Sequence, residues 1–410
     1  MEENLVLMQK RVLIVSQYFY PESFRINELA FELADRGYHV DVLTAIPNYP
    51  EGKYHKGYGV FRKRKECIKG VNVYRCFHIP RGNAGNLLMS LNYLSFLFTA
   101  SLRVVFQFVW KKKYDAIIGF QMSPITQVVP GCLLGSIRRS KVLTWVQDIW
   151  PDSITDNTTE KQNKILLPPL TWITEYVYRH SDKILITSKG RADLVNRKAN
   201  YSDKILYVPN WCDDFSIVTE SLVIEVPSGF NIMMAGNLGE GIGPDEVLNA
   251  IKEVPGNLGI NFLFAGGGSR VEYMKEKAKE YNLNNVYFLG KFPYQSMGAV
   301  YRKANALLLT LMKTDSPHLD VTVPSRLQAY MSAGKPVFAM IGKGATDVIT
   351  QSHCGFAVPA GESSQLAQII IENYQNTSLL AEMGRNAKNT FEKEYTLQKG
   401  IERFEDLIDN

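Results

Sequence analysis

Short apolar runs of strand length alternate along the chain with segments whose apolar positions fall three and four apart. That is the pattern of strands buried on both faces with helices packed over them. Arg11–Ser16 opens the series. Phe24–Arg36 follows, with Ile26, Leu29, Ala30 and Leu33 on one helical stripe and Gly37 as its stop. His39–Thr44, Asp115–Phe120, Lys141–Gln147, Lys183–Thr187 and Ile205–Val208 are further apolar runs. Periodicity lapses over 211–228, which reads as a linker. It resumes with Phe230–Ala235, Asn261–Ala265, Val286–Leu289, Ala306–Met312 and Val337–Ile341. A β-turn-α opening begins both halves, which predicts an α/β chain of two doubly wound, Rossmann-like domains facing a cleft. The predicted boundaries are 1–210, a linker at 211–228, 229–390, and a final segment at 391–410.

One segment departs from the pattern. Asn86–Trp110 is the most apolar stretch and is long enough to raise the question of a membrane span. Asn92, Arg103 and Gln107 interrupt it, which argues against spanning. Two readings stay open: a helix pair buried against the sheet, or a surface dipping into the lipid interface with Lys111, Lys112 and Lys113 on anionic headgroups.

Composition narrows the class. A chain of 410 residues with 45% hydrophobic and 21% charged residues is a globular protein of about two domains. A net charge of +5 is too mild to suggest a nucleic-acid partner. The cysteines (Cys67, Cys76, Cys132, Cys212, Cys354) are scattered, which points away from a metal site or a disulfide framework and toward a reducing cytoplasm. Glu2-Glu3 ahead of a short apolar patch reads as no secretory leader.

Candidate chemistry sits where strands end. In doubly wound sheets ligands bind beyond the strand C-termini, so Tyr18–Arg25 and Ala45–Tyr58 are expected site loops. They carry Glu22, Arg25, Asn48 and Tyr49. Asp148 follows another strand directly, where a reacting carboxylate would lie; Asp148 or Asp152 could instead cap the next helix. Gly236-Asn237-Leu238-Gly239 begins a glycine-rich turn between strand and helix, the context of a phosphate loop. In Val321–Pro336 a helix is expected to begin near Pro324. Ser325, the first-turn N–H groups and Arg326 would there receive a diphosphate. Asp320 is placed to hold sugar hydroxyls, whereas His318 reads as an incidental loop histidine. No D-x-D occurs. Backbone N–H groups and Arg or Lys, rather than a bridging metal, are therefore expected to neutralise the phosphates.

Taken in order, seven motifs resemble family-4 retaining glycosyltransferases of the GT-B fold. They are Tyr20-Pro21-Glu22, Pro47-Asn48-Tyr49-Pro50-Glu51-Gly52-Lys53, Gln147-Asp148-Ile149-Trp150-Pro151-Asp152, Thr187-Ser188-Lys189-Gly190, Val208-Pro209-Asn210-Trp211, Ala235-Gly236-Asn237-Leu238-Gly239 and Val323-Pro324-Ser325-Arg326. More narrowly, the chain is similar to bacterial O-antigen and capsule transferases of the N-acetyl-L-fucosamine type. The resemblance implies an acceptor-binding first domain and a donor-binding second one. It also implies a C-terminal helix, about Leu397–Ile408, that crosses back to the first. The donor base would lie near Phe292 in the loop Gly290–Tyr294, and the diphosphate over Gly236–Gly239 and Pro324–Arg326.

The family's paired glutamates fall on Val321 and Ala329, with Asp320 or Gln328 as substitutes. Its phosphate-binding Arg and Lys match Asn237 and Ile242, which shifts that charge to Arg326, with Lys189 or Arg191. Gln147 stands where a histidine is expected before Asp148, and these two are the catalytic candidates. Glu22, Arg25, Asn48 and Tyr49 fall on the acceptor side. The implied activity is metal-independent transfer, without a cofactor, of a sugar such as N-acetyl-L-fucosamine. It would pass from a nucleotide diphosphate, UDP being expected, to a polyprenyl-diphosphate-linked glycan at the inner membrane face. The alternatives are a nucleotide-sugar 2-epimerase, which needs carboxylates and histidines gathered in the cleft, and a non-catalytic sugar-nucleotide-binding scaffold.

Overall fold

The computed structural model describes residues 9–83, 85–155, 160–217 and 222–410. Glu2-Glu3 and linker residues 218–221 lie outside them. The chain forms two compact units. The first holds residues up to Thr187, Arg191–Val208 and Ile401–Asn410; the second holds Ser188–Gly190 and Pro209–Gly400.

The strands of the first unit are β1 (Arg11–Val15), β2 (His39–Ala45), β3 (Lys65–Ile68), β4 (Val71–Cys76), β5 (Ala116–Gln121), β6 (Lys141–Val146), β7 (Lys183–Ile186) and β8 (Ile205–Tyr207). They make one sheet in the order β3-β4-β2-β1-β5-β6-β7-β8, parallel except for the β3–β4 hairpin. The second unit has β9 (Phe230–Asn237), β10 (Ile260–Gly267), β11 (Val286–Gly290), β12 (Ala306–Thr310), β13 (Val337–Met340) and β14 (Gly355–Val358). Their order is β11-β10-β9-β12-β13-β14, the doubly wound order in which loops diverge from a central switch point. In the first sheet that point lies between β1 and β5; in the second, between β9 and β12.

The β3–β4 hairpin and β14 escape the apolar-run reading. β3 alternates exposed and half-buried residues. β4 carries Arg75, which is fully buried and paired with Glu66 at 2.7 Å. A charge inside a strand hides it from a pattern search unless its partner is known.

The apolar stretch is one helix, Asn86–Arg103, running into a π-helical turn, Val104–Phe108. This corrects the expected helix pair. Its inner side buries Phe96, Ala100, Val104 and Phe108 in the core of the first unit. Its outer side exposes Leu87, Leu94, Phe98, Phe106 and Trp110. The polar interruptions serve the protein beneath. Asn92 bonds Gln17 and the Ile79 carbonyl at 2.6 Å each. Arg103 donates to Gln107 at 2.8 Å and to the Arg75 carbonyl at 2.6 Å.

The lysines after this helix do not act as a set, which is a second correction. Lys111 turns inward, 2.7 Å from the buried Asp41 carboxylate and over the Tyr74 ring. Lys112 and Lys113 are exposed. Asp41 also accepts from Tyr114 and Asn72. Burial alone would raise its carboxyl, but the bonds from Lys111 and Tyr114 hold it below the usual range.

The last helix, Leu397–Asp409, begins in the second unit and re-enters the first at Ile401, as the resemblance implies. Gly400 lies so close to Trp211 that a Cβ would fall 2.2 Å from its ring. Beyond it, Phe404 meets the Trp145 ring at 5.0 Å and Glu405 pairs with Arg36 at 2.5 Å.

Replacing Lys111 with Met leaves one bond of a buried carboxylate unmade and should cost about 2 kcal/mol of stability, read as a lower urea midpoint at pH 7. The pH dependence has a fixed sign. The folded pKa of Asp41 lies below its unfolded value of about 3.9. Its contribution is therefore complete above pH ~4 and is lost as pH falls through the folded value. The variant should lose less stability than the wild type on acidification to about pH 3. Equal midpoints at pH 7 would show that the pair contributes nothing.

Candidate active site

In the second unit the site is organised by Tyr330. This fully buried residue lies on the helix Ser325–Ser332. Its phenol oxygen accepts the Ala235 N–H at 3.0 Å and donates to the Ala235 carbonyl at 3.3 Å. Burial pushes the phenol up, so it stays protonated at neutral pH. The bond fixes the helix start against the end of β9. One turn earlier, Arg326 reaches over Gly236 and donates from Nη2 to the Asn237 carbonyl at 3.3 Å. Its Nη1 is buried without a hydrogen-bond partner.

Glycine is required beneath. Gly236 has φ +116°, and a Cβ on Gly266 would lie 1.8 Å from the Gly236 carbonyl oxygen. The helix starts at Ser325, one residue later than the sequence suggests. Pro324 precedes it in extended conformation, and no side chain caps the first turn. The helix start, an arginine and exposed Gly236-Asn237 thus lie together, an arrangement of the kind that suits an anion.

Other candidates of this unit fall in different places. Asp320 accepts the Lys343 N–H at 3.1 Å and borders a cavity of about 510 Å³ with Gly241, Met312, Lys313 and Lys343. Gln328 is buried and donates to the Asn210 carbonyl at 2.9 Å. It thus points into the protein, not toward an open ribose site. Gly239 is the residue before the short turn Glu240–Ile242. Phe292 packs on the hydrophobic core of this unit. Lys189 is exposed, and its neighbour Ser188 donates to the Val321 carbonyl at 2.5 Å.

In the first unit, Gln147-Asp148 follow β6 directly. The Asp148 carboxylate accepts the Ser123 N–H at 2.9 Å, so it steadies the loop after β5 and caps no helix. Asp152 begins the helix Asp152–Thr155 and pairs with Arg197 at 2.6 Å. The Gln147 N–H donates to the Gln121 carbonyl at 2.8 Å. Arg191 is a correction. It is buried, and its Nη1 donates to the carbonyls of Val146 at 3.2 Å and Gln147 at 2.5 Å, so it braces the β6 end from inside the protein, with its Nε buried and unpaired.

Glu22 is buried and accepts the N–H groups of Asn48 and Tyr49 at 2.7 and 2.6 Å. Burial raises its carboxyl against those bonds. It locks together the two loops in which acceptor residues are expected. Asn48 is fully buried, whereas Tyr49 is partly exposed with its ring 5.6 Å from that of Phe24. Arg25 pairs with Glu28 at 3.0 Å. Among the described residues, no group of three or more His, Cys, Asp or Glu side chains could hold a metal ion.

Two family models match this chain. One, described as a glycosyl transferase 4-like domain, covers residues 23–211. The other, glycosyl transferases group 1, covers residues 226–390. The chain is a group 1, GT4-like glycosyltransferase. A probable glycosyltransferase of Pseudomonas aeruginosa, WbjE, is 23% identical over 80% of this chain and 82% of its own. A putative colanic acid biosynthesis glycosyl transferase of Escherichia coli, WcaI, is 23% identical over 79% and 81%. The crystal structure of HepE from Anabaena, in complex with UDP, superposes with a TM-score of 0.65 at 16% identity, covering 98% of this chain and 100% of that one. Two Rossmann-like units of this kind are the GT-B fold.

Tyr330 of this glycosyltransferase is not among the residues the motifs single out. The available signal was its place four residues after Arg326, on the same helical face. Tyr330→Phe keeps the ring but leaves the Ala235 N–H buried and unpaired. The expected loss is about 1–2 kcal/mol in chemical denaturation, with weakened diphosphate binding. Unchanged stability would mean that packing alone holds the helix start.

Proposed function

We propose that this glycosyltransferase moves a sugar from a nucleotide diphosphate to a lipid-linked glycan in bacterial surface polysaccharide synthesis. The observation that carries the donor half is Arg326. Its guanidinium lies over Gly236-Asn237 at an uncapped helix start, with one nitrogen buried and unpaired. A diphosphate would supply the missing acceptors. Support comes also from HepE, whose structure holds UDP, and from WcaI, named for colanic acid biosynthesis. UDP is our expected nucleotide, and an N-acetylated deoxyhexosamine such as N-acetyl-L-fucosamine our expected sugar. The seven ordered motifs support that choice. We assign donor binding to 229–390 and acceptor binding to 1–210, with 211–228 as the linker.

Transfer in this proposal is retaining and independent of metal. The departing phosphate takes the acceptor proton on the face where the new bond forms. Arg326 and the open N–H groups balance charge on the diphosphate, and Asp148 orients the reacting hydroxyl with Gln147 beside it. Calorimetry with a panel of nucleoside diphosphates tests the donor site. One of them should bind, and Arg326→Ala should weaken it at least about tenfold, the effect of losing a charge-assisted bond. A dissociation constant unmoved by that change would remove Arg326 from the site.

The acceptor half places the protein peripherally on the inner membrane face. The outer side of Asn86–Phe108 supports it, with Phe106 75% and Trp110 81% exposed beside the exposed Lys112 and Lys113. Apolar side chains bordered by lysines suit an anionic bilayer surface, each lysine contributing about 1 kcal/mol. Wild type should float with anionic liposomes, less so at high salt. A Lys112→Glu, Lys113→Glu double variant should remain unbound while Lys111 keeps the fold intact. If both proteins float equally, these lysines do not meet lipid.

A further inference from the structure

Four consecutive basic residues, Arg62-Lys63-Arg64-Lys65, lead into the β3–β4 hairpin directly after Val60-Phe61. None of the seven motifs includes them. Residues 59–62 form a tight turn. Gly59 and Arg62 pair as an isolated antiparallel bridge, and the Arg62 N–H donates to the Gly59 carbonyl at 3.1 Å. Val60 and Phe61 are its two central residues and make the tip. Phe61 is 95% exposed, and Arg62 and Lys63 beside it are exposed as well. Arg64 turns back into the protein. Its Nη1 donates to the Val60 carbonyl and its Nε to the Arg75 carbonyl, both at 2.9 Å. The turn is thus braced from within while its aromatic ring stays in water.

The tip adjoins the end of the apolar helix. The Arg75 carbonyl that receives Arg64 also receives Arg103, the last residue of Asn86–Arg103, at 2.6 Å. Lys65, where β3 begins, holds its Nζ 5.5 Å from the centre of the Tyr74 ring, and the Lys111 Nζ lies 3.8 Å from the same centre. β4 therefore joins the tip to the region where Phe106, Trp110, Lys112 and Lys113 are exposed. Among the described residues, no carboxylate pairs with Arg62, Lys63 or Lys65, and the adjoining Glu66 is engaged by Arg75. A soluble polyanion would suit this charge but not the exposed ring. An apolar partner would suit the ring but not the charge. An anionic bilayer suits both, with the ring in the interface and the cations on headgroups.

We infer that the Val60-Phe61 turn, with Arg62 and Lys63, is a second membrane contact, in which Phe61 enters the lipid interface and the basic side chains meet anionic headgroups. This rests on the membrane attachment proposed above. It adds a site that neither the motifs nor the apolar stretch indicated. A contact beside the helix also restricts how the first unit can roll about the helix axis on the bilayer.

Flotation of the full chain with vesicles of phosphatidylcholine, alone or mixed with phosphatidylglycerol, tests the tip. Arg62→Ala combined with Lys63→Asn removes its charge; asparagine suits the second position, where Lys63 has φ +50°. This double variant should partition onto the mixed vesicles at least about tenfold less than wild type, each basic residue near an anionic surface being worth about fivefold. Phe61→Ser should lower partitioning severalfold. Phe61→Trp should bind as wild type does and add emission that brominated lipid quenches. Urea midpoints should stay unchanged throughout, because these side chains are exposed. If wild type floats and the double variant and Phe61→Ser float equally well, or if Phe61→Trp gains no quenchable emission, the tip does not meet lipid. The helix contact is then read separately through Lys112→Glu, Lys113→Glu. A wild type that floats with neither vesicle defeats both contacts. Heparin retention lost in the double variant with flotation unchanged assigns the charge to a soluble polyanion and overturns the inference.

Discussion

The second unit depends on one phenol. Tyr330 satisfies both the N–H and the carbonyl of Ala235, the last buried residue before β9 gives way to the exposed Gly236-Asn237. A buried peptide group at a strand end must find partners somewhere. Here it finds both in a helix that arrives from the other side of the switch point. That choice fixes the distance from the helix start to the glycine turn. It thereby sets Arg326 above Gly236. Replace the phenol, and the helix start loses its tie to the glycine turn.

The first unit solves a comparable problem with charge. Glu22 joins two site loops through the N–H groups of Asn48 and Tyr49, and Arg191 collects carbonyls at the end of β6. Both residues carry charge in a site region, and charge there invites a functional label. Their geometry shows bracing instead. Burial weakens the charged form of each, raising the carboxyl of Glu22 and lowering the guanidinium of Arg191. Glu22 Oε1 and Arg191 Nη1 are each committed to two backbone groups, which ties both side chains to the loops and strand end they brace.

Much of the fold was legible in the chain because its parallel strands are buried on both faces and show as uninterrupted apolar runs. The elements that escaped were those that break that rule, the β3–β4 hairpin with its buried Arg75 and the short β14. The site was legible in part. Pro324-Ser325-Arg326 reads as a helix start, because proline and a small hydroxyl residue belong there. Gln328 misled as a stand-in for a missing carboxylate. It follows Arg326 by two residues, about 200° around a helix of 3.6 residues per turn, so it must face away when Arg326 faces the loop. Tyr330, four residues on, returns to the same face. Helical phase alone separates these residues, but only once one of them has been placed.

The apolar stretch shows why composition and position must be argued together. A run of hydrophobic residues interrupted by Asn92, Arg103 and Gln107 and ended by three lysines reads as a membrane surface with a basic border. Each interruption has its own use. Asn92 and Arg103 bond to the protein beneath the helix, so neither puts a polar group on its outer side. Lys111 is the counter-ion of Asp41 and must stay inside. What faces outward is therefore more apolar than the sequence suggests, with only Lys112 and Lys113 at its border. In the membrane contact we propose, burial of Phe98, Phe106 and Trp110 would act together with Lys112 and Lys113.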